Sequence, residues 1–138
     1  VRRLIELGVD VVLGSSPHVL QPIEPISIDG GDPSCPTQVR RGGPPRVGLI
    51  AYSLGNLLSI MPTRPCRTGV VLRVGLARNA HGALSLAHLA AIPTRCGRGV
   101  AGGGWLDAGV QTLAELPPAV ARPHRDHARK ILGAALVP

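Results

Sequence analysis

A chain of 138 residues has room for one domain, long enough to bury a core and too short for a second folding unit. Its net charge of +7 comes from 14 Arg and one Lys against eight acids, with the arginines scattered along the chain, so a basic surface that concentrates anions of any kind is expected. Phe is absent and Tyr52 and Trp105 are the only aromatics, which argues against dedicated nucleic-acid binding, and no apolar run reaches the roughly 18 residues of a membrane-spanning helix.

Residues 1–8 read as the end of a helix, with Val1, Leu4 and Ile5 on one face and Gly8 as its C-cap, and the true start is expected upstream. Residues 9–13 are short, β-branched and almost wholly apolar, the pattern of a strand buried on both faces of an α/β sheet. The loop Ser15-Ser16-Pro17-His18 follows. From residue 19 to 28 the prolines Pro22 and Pro25 restrict pairing, so an edge or irregular strand is expected. Residues 29–46 carry so many Gly and Pro that a mobile surface insertion without regular structure is predicted.

Order returns at residues 47–54, a strand that ends at the turn Gly55-Asn56. Residues 68–76 and 83–89 alternate at period two around Asn79-Ala80-His81-Gly82, which predicts an antiparallel hairpin. Residues 94–104 read as a Gly-rich loop and 107–116 as a short helix stopped by Pro117 and Pro118. The last helix shows an apolar stripe at Ala128, Ile131, Leu132, Ala135 and Leu136, spaced i, i+3, i+4, i+7 and i+8. The division is then 1–93 as a domain portion, containing the 29–46 insertion, and 94–138 as a Gly/Pro-rich tail with a terminal amphipathic helix.

Two loops stand where strands end, the place at which open α/β sheets gather ligand sites. One is Gly14-Ser15-Ser16-Pro17-His18-Val19-Leu20-Gln21 and the other Tyr52-Ser53-Leu54-Gly55-Asn56. Held by the fixed φ of Pro17, His18 is placed to give a neutral imidazole nitrogen to a divalent metal, or else is a hydrogen-bonded structural histidine. Asn56 either contacts substrate or orients a ligand, or the turn needs Gly55 or Asn56 at positive φ. Ser53 is a weaker substrate-binding candidate.

Other patterns fail on context. Gly97-Arg98-Gly99-Val100-Ala101-Gly102 fits a dinucleotide fingerprint, yet Gly103 and Gly104 follow instead of a helix. His124 and His127 flank Asp126 at a metal-gripping spacing, but a solvated helix start is the expected reading. Ser15, Ser16 and His18 lack the G-x-S-x-G elbow of a nucleophilic hydrolase. Cys35, Cys66 and Cys96, about thirty residues apart with no C-x-x-C pair, allow one disulfide with a free thiol or three free thiols.

A strand followed by G-x-x-P-H-V-x-Q and then, after an insertion, Y-S-L-G-N resembles the closing section of CapA-type capsule or poly-γ-glutamate biosynthesis proteins, a branch of the calcineurin-like metallophosphoesterase superfamily. The resemblance covers residues 1–89. It implies the C-terminal part of a calcineurin-like α/β sandwich, a mixed sheet with an antiparallel hairpin. It also implies a divalent metal (manganese, zinc or iron) in the full-length parent, with His18 among its ligands. Where family members often carry a further His before the Pro, this chain has Ser16, and the family's remaining ligand motifs lie before the region represented here. The implied partners are an anionic polymer such as polyglutamate, the capsule machinery and the missing N-terminal half of the domain, at or outside the cell envelope. Two functions follow. The parent is a metal-dependent, hydrolase-like protein of capsule synthesis, with this chain alone inactive; the alternative is a non-catalytic basic module that binds an anionic polymer or a synthase partner.

Overall fold

The computed structural model describes residues 1–98 and 108–136. Helix α1 (Arg2–Glu6) leads into β1 (Val11–Leu13), β2 (Ile23–Ile28), β3 (Thr37–Val39) and β4 (Arg46–Ala51). The short helix α2 (Arg64–Arg67), the long hairpin β5 (Thr68–Arg78) and β6 (Leu84–Arg98), β7 (Ala108–Thr112) and α3 (Pro118–Leu132) complete the order. The result is α/β, with one mixed sheet in the order β1-β4-β2-β3 and one antiparallel sheet in the order β5-β6-β7.

Period-two alternation along β4 divides the core. Leu49 and Ala51 face a cluster shared with Leu20, Ile23, Val70 and Ala91, onto which α3 lays Ala128 and Leu132. Ile50, between them, faces the opposite side, where Ile26, Ile28 and Val39 pack under Ile5 of α1. The mixed sheet is therefore covered by α1 on one face and by the hairpin and α3 on the other. All three cysteines are free thiols. Among the described residues, no helix is long and apolar enough to cross a membrane.

Several expectations change on contact with the tertiary structure. The apolar run at 9–13 does not make a strand buried on both faces: β1 is an edge strand, paired only to β4, with Leu13 62% exposed. Conversely, β2 is an interior strand. Its pairing to β3 begins at Ile26, one residue after Pro25, so the missing proline N–H withdraws nothing from that ladder. The helix at the start buries only Ile5, while Val1 and Leu4 are exposed.

Residues 29–46, expected to lack regular structure, contain β3, and Val39 and Cys35 are buried. The physical reason lies at Asp29, whose φ is +53 and whose carboxylate accepts the backbone N–H groups of Arg41, Gly42 and Gly43 at 2.6, 3.0 and 2.9 Å. Those bonds, from Arg41 first, hold the Asp29 carboxyl below its ordinary range. Buried Arg46 adds a second tie, donating Nε to Asp10 at 2.9 Å beside Arg41, whose guanidinium reaches the same carboxylate at 2.8 Å.

The hairpin forms as expected, with a register shift between Gly75 and Leu76, but β6 runs on through residues predicted as loop. Its far end pairs with β7, which stands where a helix was predicted over 107–116; a 3₁₀ turn at Leu113–Glu115 follows. Cross-strand pairing outweighs local propensity there, and the Thr112–Glu115 capping box closes the turn. Pro117 and Pro118 begin α3 instead of only ending what precedes, because proline fits the first helical turn, where N–H groups lack partners anyway. The stripe continues past the helix, and Leu136 bridges to Ala91.

Candidate functional site

Parallel pairing of β1 with β4 sets Leu13 opposite Ala51, so both strands deliver their following loops to one edge of the sheet. Gly14 N–H donates to the Ala51 carbonyl at 2.7 Å, and a Cβ at Gly14 would lie 2.2 Å from the Tyr52 carbonyl oxygen. Only glycine permits that approach. The chain then turns through Ser16, a non-glycine residue at φ +97, before Pro17 and His18. It returns beside β4 by the Leu20–Leu54 bridge and the bond from Gln21 N–H to the Ser53 carbonyl, 3.0 Å.

Two side chains fasten the loops together. Ser53 is 1% exposed; its hydroxyl donates to the Pro17 carbonyl at 3.1 Å and accepts the Gly55 N–H at 3.2 Å. Gly55 takes the positive φ of the turn, +71, which frees Asn56 from that duty. The Asn56 Nδ2 donates to the carbonyls of His18 at 3.2 Å and Cys66 at 2.8 Å. Both carbonyls can only accept, which fixes the amide orientation and turns Oδ1 toward His18 Nδ1, 2.9 Å away. An amide oxygen accepts, so Nδ1 carries the proton and Nε2 keeps its lone pair, with no hydrogen-bond partner among the described residues.

These loops and residues 70–72 of β5 line a cleft of about 520 Å³. His18 is the one titratable side chain in that lining. Among the described residues, no group of three or more His, Cys, Asp or Glu is placed to hold a metal ion. The described residues thus offer a single oriented imidazole and do not by themselves complete a metal centre.

The structure brings His18, Asn56 and Ser53 to one place. Ser53 enters through backbone bonds beneath the surface and not as an exposed hydroxyl, whereas Asn56 meets His18 directly. Sequence reasoning missed the bond from Asn56 to the Cys66 carbonyl, since a backbone acceptor ten positions away leaves no residue-type signal. It also placed His124 at a solvated helix start. In fact His124 is buried on α3, its Nδ1 2.6 Å from Thr68 Oγ1. Burial first, then Arg95, Arg64, Arg67 and His127, lower its pKa to about 4. Of the dinucleotide-like glycines, Gly97 lies in β6 and 99–102 lie outside the described residues.

Residues 1–61 match the family model of the bacterial capsule synthesis protein PGA_cap. The matched stretch runs from α1 through β4 and contains both site loops, so the resemblance carried by the His18 and Asn56 motifs is shown there. It stops before the hairpin. No curated protein and no solved structure gives a significant match to the chain.

Proposed function

We propose that this chain is part of a calcineurin-like, metal-dependent hydrolase of capsule or poly-γ-glutamate synthesis, in which His18 gives one imidazole to a divalent centre of manganese, zinc or iron. The family match over residues 1–61 supports a part in making such a polymer. The observation that carries the finer reading is the 2.9 Å contact of His18 Nδ1 with Asn56 Oδ1. A partner on one ring nitrogen fixes the tautomer and aims the other, which is how ligating histidines are commonly held.

The remaining ligands in this reading come from outside the described residues, because Ser16 stands where relatives often carry a second histidine. A divalent ion, when bound, polarises a substrate oxygen. The chain's own residues do the rest of the placing. Asn56 holds the ring, Ser53 pins the Pro17 carbonyl, and the exposed edges of the cleft receive substrate.

Manganese titration of the full chain, followed by paramagnetic broadening of the histidine ring protons, tests the assignment. The expected result is weak binding with broadening at His18, abolished by His18→Ala. Broadening confined to His81, His88, His124 or His127, or none at millimolar metal, would remove His18 from the metal site.

A further inference from the structure

The segment that joins the site to α2, residues 57–63, is built inside out. A connecting loop ordinarily turns polar side chains to water and apolar ones to the core. Here Leu57, Leu58 and Ile60 are each more than half exposed and Met61 more than a third, while Ser59 among them is half-buried. Ser59 is the inward anchor: its backbone N–H donates to the buried Cys96 thiol, and its hydroxyl accepts the Met61 N–H at 3.1 Å. The two ends of the segment are also joined, because Asn56 Nδ2 donates to the Cys66 carbonyl at 2.8 Å. Outward display of the four apolar side chains is therefore a property of the folded loop.

Single exposed leucines are ordinary, but four large apolar residues crowded between positions 57 and 61 make a patch of the kind that marks an interaction surface. Its surroundings select the partner. Arg64 and Arg67 follow directly, Arg64 is exposed, and neither enters an ion pair among the described residues. No Asp or Glu stands anywhere between Asp32 and Asp107, so the loop, α2 and the hairpin form an acid-free, arginine-bearing stretch. An apolar tip over a cationic base fits an anionic bilayer: the tip enters the boundary between headgroups and acyl chains, and the guanidinium groups stay level with the phosphates. A protein partner is the poorer fit, because it would have to match the shape of an irregular loop, whereas fluid lipid conforms to it.

We infer that residues 57–63 seat in the surface of an anionic bilayer, with Leu57, Leu58, Ile60 and Met61 as the inserted tip and Arg64 and Arg67 as the contacts to lipid phosphates. With so few side chains inserted, the docking is shallow and reversible. Leu57 and the exposed Val71 also line the His18 cleft, so a loop seated in lipid holds the cleft mouth at the membrane surface. The docking is independent of any metal at His18.

Co-sedimentation of the full chain with vesicles of equal parts phosphatidylglycerol and phosphatidylcholine, beside vesicles of phosphatidylcholine alone, tests the loop at about 0.15 M salt. Binding is expected to the anionic vesicles and to be weaker to the neutral ones. Leu58→Ser/Ile60→Ser is expected to weaken the anionic binding about tenfold, through lost apolar insertion. Arg64→Gln, at an exposed side chain, keeps the test open should that pair misfold; it is expected to weaken anionic binding about fivefold and leave neutral binding unchanged. Leu76→Ser/Leu84→Ser, two exposed leucines at the far end of the hairpin, is expected to stay within about twofold of the parent. A nitroxide carried on the lipid acyl chain should broaden the methyl signals of Leu57, Leu58 and Ile60 before those of Leu76 and Leu84. No binding to the anionic vesicles, equal binding to the neutral ones, equal loss in both leucine and isoleucine pairs, or unbroadened loop methyls would each overturn the inference. So would a dimer in sedimentation equilibrium that Leu58→Ser/Ile60→Ser dissolves while vesicle binding persists, which would assign the patch to a second copy of the chain.

Discussion

His18 and Asn56, 38 positions apart in sequence, meet at 2.9 Å because two parallel strands release their loops at the same edge of the mixed sheet. The contact sets a tautomer. Nitrogen-15 spectra of the full chain at neutral pH should show the proton on Nδ1 of His18, and Asn56→Ala should return the ring to a mixture of tautomers. A ring protonated mainly at Nε2 in the unaltered chain would contradict the hydrogen bond from which the site is built.

The close approach of Gly14 to the Tyr52 carbonyl predicts a local and severe response to one added methyl group. Gly14→Ala should part the end of β1 from β4, broadening or shifting the amide signals of residues 14–18 and 52–56, while the hairpin signals stay in place. With a Cβ only 2.2 Å from a backbone oxygen, the backbone itself must move. An unchanged spectrum in both loops would show that the approach is looser than described.

Asp29 is predicted to hold the Gly/Pro-rich segment closed. Its carboxylate gathers three backbone N–H groups from residues 41–43, so Asp29→Ala should open that stretch to trypsin at Arg40 and Arg41 under conditions in which the parent chain resists. Equal cleavage rates in the two proteins would sink this account. Truncation in the core beneath it, Ile26→Ala, should lower stability by about 2–5 kcal/mol in denaturant melts, through lost burial and the cavity left behind.

Acid sensitivity should begin well above the carboxylate range. The folded-state pKa of His124, about 4, lies below its ordinary 6.5, so the unfolded chain binds the proton more readily. Stability is then fully present above pH 6.5 and declines as pH falls toward 4. His127, lowered by burial and by Arg64 and Lys130, contributes in the same direction. Below that window the depressed carboxyls act. For Glu24, burial works upward but is outweighed by hydrogen bonds from Thr37 and Tyr52 and by Arg2, and protonation removes its stabilising contribution as pH falls through its folded pKa. Urea melts from pH 7 to 3 should show the upper decline, and His124→Gln should shrink it. A stability profile flat between pH 6.5 and 4 would refute the assignment of His124 as a buried neutral histidine.

The single imidazole at the cleft predicts that the 138-residue chain, assayed alone, neither binds two manganese ions tightly nor hydrolyses a generic phosphodiester. Calorimetry showing a stoichiometry of two, with turnover lost in His18→Ala, would show that the chain holds a complete centre.

Sequence alone determined the features set by local chemistry. Glycine, proline and histidine at fixed offsets marked both site loops; period-two alternation gave β5 and β6; the apolar stripe gave α3. Tertiary structure decided what depends on partners far along the chain. β1 became an edge strand and β2 an interior one, since hydrophobicity records a wish for burial and not which neighbour supplies it. Residues 29–46 gained order from Asp29 and Arg46, two charged side chains whose backbone and carboxylate partners carry no mark in the sequence. A helical reading of 107–116 yielded to β7 because the free edge of β6 was there to be paired. His124 passed from a solvated helix start to a buried hydrogen bond because only folding brings Thr68, 56 positions earlier, to within 2.6 Å of its ring.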